Sequence, residues 1–174
     1  MNTGFMAALS ALTAATCWGA GDFTGGLASR RSDPYRAVFF SYCVGLALMV
    51  TLALVRREQP TTPADLGWGA VAGLSGMFGL GFLYRGFIAG RMGIVAPVSA
   101  VLSASIPVVF AALTSGLPHE LQLAGFAVAL VGIWLLSRPE RLGSRPEGLG
   151  LAVLAGLGFG GFFICLSRVS TQAV

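Results

Sequence analysis

Long uncharged apolar blocks alternate with short polar connectors along the whole chain. A membrane-spanning helix needs about 20 mainly apolar residues at a rise of about 1.5 Å each. Six blocks come near that length, roughly 5–27, 37–55, 66–88, 95–113, 121–137 and 149–166. The connectors between them combine charge with glycine or proline, which end helices and mark turns. None is long enough to form a soluble domain. The strands of a membrane barrel would alternate over about ten residues, half the length of these blocks. Irregular backbone cannot cross lipid, because its polar groups would lack partners. The pattern therefore predicts an all-α fold, a polytopic transmembrane bundle of six helices, with the lipid bilayer as its first partner.

Composition sharpens this reading. Hydrophobic residues make up 55% of the 174 and charged residues only 10%, against about 25% charged in a typical soluble domain. Net charge is +4, and all 11 basic residues are arginine, lying mostly between the apolar blocks. No basic stripe interleaves with aromatics, so no nucleic-acid partner is expected. Cys17, Cys43 and Cys165 each lie inside an apolar block and are read as small packing residues rather than a disulfide or metal set. His119 is the sole histidine. No nucleophilic triad, metal cluster, P-loop or dinucleotide fingerprint accompanies it. No enzyme activity and no cofactor are expected. Met1–Met6 carries no basic residue, so the first block reads as a retained helix rather than a signal peptide.

Glycines recur four apart at Gly21/Gly25, Gly69/Gly73 and Gly156/Gly160, with Gly76 extending the second pair. Small residues on one face let two helices approach closely. Pro97 and Pro107 fall in the fourth block, where each removes a backbone donor and favours a bend. Ser99 and Ser103 share a stripe with Pro107. These serines either bond back to their own helix or face a cavity; both readings stand.

Charge within the apolar blocks is costly, by a few kcal/mol on insertion scales. Asp22 lies six residues past the midpoint of the first block near Thr16, about 9 Å along the axis. Trp18 precedes it by one turn on the same face. The pair reads either as a proton- or cation-binding carboxylate beside an aromatic wall, or as a hydrated or arginine-paired helix end. Arg85, near the end of the third block, either snorkels to the headgroups or turns inward to pair with Asp22 or an anionic substrate. Tyr42 and Tyr84 are further cavity-lining candidates.

Three stretches carry a likeness to a known family. They are Trp18-Gly19-Ala20-Gly21-Asp22-Phe23, then Tyr84-Arg85-Gly86 through Gly93-Ile94-Val95-Ala96-Pro97-Val98, then Leu121-Gln122-Leu123-Ala124-Gly125 through Gly132-Ile133. In their order and spacing the chain resembles the EamA-type transporters of the drug/metabolite transporter superfamily. Two features depart from the family pattern: Gly116 stands where a glutamate is usual before the fifth helix, and only the first helix of an incomplete second repeat follows the first, as expected of a fragment of a ten-helix protein. The family is built from two inverted five-helix repeats. The resemblance implies a first repeat over 1–137, a connector over 138–148, and over 149–174 the first helix of a second repeat. It also implies a multi-pass protein of the inner or plasma membrane that exports small metabolites or drugs by proton- or ion-coupled alternating access. Trp18, Asp22, Tyr42, Tyr84, Arg85, Ser99 and Ser103 would line the path, with helix kinks at Pro97 and Pro107 and with protons and a small molecule as partners. The alternative is a non-transporting assembly or accessory subunit that packs through its glycine faces, as a homo-oligomer or against a second repeat. Arginine counts on the two sides place the N-terminus outside by the positive-inside rule, whereas the resemblance implies an N-terminus inside.

Overall fold

The computed structural model describes residues 3–58, 62–117, 119–136 and 148–169. Among these residues six α-helices follow one another: α1 (Thr3–Arg31), α2 (Pro34–Arg56), α3 (Pro63–Ala89), α4 (Met92–Ser115), α5 (Glu120–Leu136) and α6 (Leu149–Leu166). No strand occurs among the described residues. By length and composition, α2, α3, α4 and α6 are long and apolar enough to cross a membrane. The fifth helix is apolar but 17 residues long. The first has 29 residues, but its glycines, threonines and Asp22 dilute its apolarity. Of the connector expected over 138–148, residues 138–147, with Arg138, Arg141 and Arg145, lie outside the described residues, as do Ser137 and 170–174.

Local chemistry sets the helix ends. Asp33 caps α2 by accepting hydrogen bonds from the amides of Tyr35 (2.8 Å) and Arg36 (3.2 Å), and Pro34 follows at the first helical position. Pro needs no intrahelical donor there. Thr62 caps α3 in the same way, accepting from the Asp65 amide at 3.2 Å while its hydroxyl donates to the Asp65 carboxylate at 2.7 Å. The connector expected between the first two apolar blocks, 5–27 and 37–55, is shorter than it reads in sequence. α1 continues to Arg31 because its last turn is held: Ser29 Oγ donates to Gly25 O at 2.8 Å, and Arg30 donates from Nε and Nη2 to Phe87 O at 3.2 and 3.0 Å.

The sixth helix is the wedge of the structure, packed between α3 and α4. Glycine makes this possible. A Cβ at Gly158 would stand 2.7 Å from the backbone of Gly79, so the α3 and α6 main chains meet directly. Ser75 Oγ donates to Gly158 O across that seam at 2.8 Å. On the other side Leu102 and Ile106 of α4 fill the space over Gly156 and Gly160. Arg168, just past α6, lies over the Phe110 ring of α4 at 5.5 Å.

The buried core sits towards one end, where α1 and α3 finish and α2, α4 and α6 begin. It comprises Val38, Leu83, Tyr84, Phe87, Val95, Ala152 and Ala155. The first helix joins it through two glycines: Gly25 abuts the Tyr84 ring, and Gly26 abuts Phe87 and Met92. Away from that end α1 is uncovered, with Phe5, Leu9 and Leu12 exposed. Among the described residues the fifth helix touches only α4. Of the glycine pairs singled out in sequence, Gly156/Gly160 form a packed seam, Gly25 and Gly76 are packed, and Gly21, Gly69 and Gly73 face open space. Cys17 and Cys43 are exposed rather than packed, because both lie on outward helix faces; Cys165 is half-buried.

Candidate functional site

A cavity of about 320 Å³ opens between α1, α2, α3, α4 and α6. Its volume is at the lower end for a small-molecule site. Each wall follows from helical spacing. Trp18 and Asp22, one turn apart on α1, both line it. Ser99 and Ser103, one turn apart on α4, face them, and Tyr42 of α2 closes a side. Gly76 and Leu80 of α3 and Phe159 and Phe163 of α6 complete the lining.

The first and sixth helices stay apart here, and aromatic rings bridge the gap. The Trp18 ring stacks on Phe163 with centroids 5.8 Å apart and planes inclined by 19°, and it meets Phe162 at 6.4 Å. Trp18 remains 53% exposed, so the stack forms a wall rather than a filled core. Asp22 is half-buried beside it and has no hydrogen-bond or ion-pair partner among the described residues. A half-buried carboxylate that borders a cavity without a protein partner among the described residues is open to a proton, a cation or a substrate donor.

Both serines line the cavity and also bond back into α4: Ser99 Oγ donates to Ala96 O and Ser103 Oγ to Ala100 O, each at 3.0 Å. The two readings drawn from sequence are thus compatible, since each hydroxyl oxygen keeps acceptor capacity. The fourth helix runs unbroken through Pro97 and Pro107. Pro107 carries no amide hydrogen, so the Ser103 carbonyl lacks its usual partner four residues on. A freed carbonyl at a cavity residue is a further acceptor of the kind tolerated at membrane depth only beside a cavity or protein.

Tyr42 is shared between two spaces. Its hydroxyl donates to Gly73 O at 3.3 Å, and its ring also borders a second, larger groove between α2 and α3. Arg85 belongs to that groove, not to the Asp22 cavity. It is exposed, donates from Nη1 to Tyr35 Oη at 2.9 Å and lies over the Tyr35 ring at 6.0 Å, and it forms no pair with Asp22 among the described residues. Arg85 falls on the α2-facing side of α3, whereas Asp22 approaches α3 from another direction. Tyr84 is 3% exposed and packs in the core against Gly25, outside the cavity lining. Sequence reasoning missed Phe159 and Phe163. Their only signal was the spacing of Phe159, Phe162 and Phe163 among the glycines of α6, which reads equally as lipid-facing.

The model of the EamA-like transporter family matches residues 5–138. The chain belongs to that family. It is therefore a multi-pass membrane protein of a transporter family, whose surroundings are a bilayer and whose partners include a small-molecule substrate. The match spans α1 to α5, so the Trp18, Asp22, Tyr42, Ser99 and Ser103 face of the cavity lies inside it and the α6 face outside it. Comparison with curated proteins and with solved structures gives no match.

Proposed function

We propose that this EamA-family chain carries one side of the path of a secondary transporter that moves a small metabolite or drug out of the cell, coupled to a proton or cation that Asp22 exchanges against substrate. The supporting observation is the Asp22 carboxylate, which borders the cavity beside an aromatic wall with no protein partner among the described residues. Trp18 and Phe163 offer apolar contact, Tyr42 borders the space, and Ser99, Ser103 and the freed Ser103 carbonyl offer polar contact. In this reading Asp22 is the coupling residue. Protonation neutralises it and lowers the cost of carrying the site through the membrane. The two repeats of the family rock about the site to expose it to each side in turn.

A flux assay in proteoliposomes tests this, with the protein in the form it takes in its membrane. Amino acids, sugar derivatives and drug cations serve as candidate substrates, and a pH dye inside the vesicles reports protons. Asp22→Asn is expected to abolish the pH dependence of transport. Unchanged coupling in that variant removes Asp22 from the mechanism. A second reading, an accessory subunit that assembles through small-residue faces, draws on the open faces at Gly69 and Gly73. It predicts no substrate flux at any pH.

A further inference from the structure

A second space lies on the outer side of the α2–α3 pair, and the transport reading makes no use of it. It is a groove of about 590 Å³, open along its side. From α2 it takes a stripe running from Tyr35 through Tyr42 to Leu46, and from α3 a stripe from Met77 through Gly81 to Arg85. The lining is apolar except at one end, where Arg85 and Tyr35 meet.

We propose that this groove binds one anionic phospholipid, with an acyl chain along α2 and α3 and the phosphate on Arg85 and Tyr35. The length fits: the 11 residue steps from Tyr35 to Leu46 span about 16 Å of helix, and one leaflet of hydrocarbon is about 15 Å thick. The depth fits as well. Arg85 lies four residues before the end of α3, about 6 Å along the axis, within snorkelling reach of the headgroup layer. Charge complementarity selects the headgroup. The Arg85 guanidinium is engaged through Nη1 with the neutral Tyr35 hydroxyl, and no carboxylate pairs with it among the described residues. Its remaining N–H groups form a fork that suits a phosphate. Tyr35 Oη accepts from Arg85, so its own hydrogen is available to the same phosphate. The groove owes its depth to Gly81, where an added Cβ meets nothing within 4 Å. Phe39 and Phe78, exposed on either side, would lie against the bilayer, so a lipid can enter sideways.

The proposal rests on the membrane setting of the chain and not on Asp22-coupled transport. The full chain, purified in detergent, is titrated with dioleoylphosphatidylglycerol or dioleoylphosphatidylcholine and followed by native mass spectrometry. The expected result is a preference for the anionic lipid of roughly fivefold, equivalent to about 1 kcal/mol for one arginine at the headgroup layer. Arg85→Gln brings the two lipids to parity. Gly81→Leu fills the groove and weakens both. Arg168→Gln, at the far end of α6, leaves the preference intact. Arg85 is exposed, so Arg85→Gln keeps the proposal falsifiable if Gly81→Leu fails to fold by circular dichroism. Equal binding of the two lipids by the unaltered chain overturns the proposal, as does a preference that survives Arg85→Gln. Displacement of the lipid by inorganic phosphate alone also overturns it, because the acyl chain would then contribute nothing. A lipid-free dimer that Gly81→Leu dissociates assigns the groove to a second copy instead.

Discussion

Single positions carry the chemistry, and each works through where its helix aims it. Asp22 and Trp18 share a face because they are one turn apart, and Ser99 and Ser103 share another for the same reason. Among the described residues the serine hydroxyls bond only within α4. Ser103→Ala is therefore expected to change stability by no more than about 0.5 kcal/mol, as for substitutions that break no buried network. If the cavity is a substrate path, the same change raises the KM for flux without lowering expression or Tm. A Tm loss of several degrees in Ser103→Ala would show that the hydroxyl is structural instead. The pairing of Trp18 with Asp22 was legible in sequence, because spacing along one helix fixes a shared face. The separation of Arg85 from Asp22 was not, because spacing says nothing about which neighbouring helix a face meets.

At the scale of elements, glycines decide which helices touch. The α3–α6 seam has main chain on main chain at Gly79 and Gly158, tied by the Ser75 hydrogen bond. A side chain there has nowhere to go, since backbone cannot swing aside. Gly158→Val is expected to destabilise by about 1–3 kcal/mol, the usual range for overpacking, read as a lower melting temperature in detergent. Gly150 lies on the same helix with open space around it. Gly150→Ala is expected to be neutral or stabilising by about 0.5–1 kcal/mol, from helix propensity alone. Equal effects of the two changes would show that the seam does not hold α6. The sequence announced the Gly156/Gly160 pair by its spacing and passed over Gly158, which lies between them. Small-residue spacing marks a face but not the depth of contact, and the closest approach lies where two such faces cross.

For the whole molecule, one wedge and one buried end hold five helices together. The sixth helix contacts α3 and α4 more extensively than any other pair of helices meets. Without it, the Gly79 and Ser75 face of α3 and the Leu102 and Ile106 face of α4 would be left bare. A chain ending at Gly148 is expected to elute as a broad or aggregated peak in size-exclusion chromatography in detergent, under conditions where the full chain is expected to elute as one symmetric peak. An unchanged peak and melting temperature would show that α6 is dispensable. Outward apolar residues such as Phe39, Leu54 and Leu113 remain exposed throughout the structure. That distribution suits a lipid solvent, in which apolar side chains have no need to turn inward.

The sequence by itself determined the number of helices, their approximate ends, their membrane character and the family, because each depends on solvent preference and on patterns local to one segment. It also placed Trp18 with Asp22 and Ser99 with Ser103, since a helix repeats every 3.6 residues whatever surrounds it. Only the tertiary structure decided that these two pairs face one cavity, that Phe163 closes it, that Tyr84 is core, and that Arg85 ends a separate groove. Those outcomes depend on which helix faces meet across the bundle, and that is set by close backbone approaches between residues tens of positions apart in the chain.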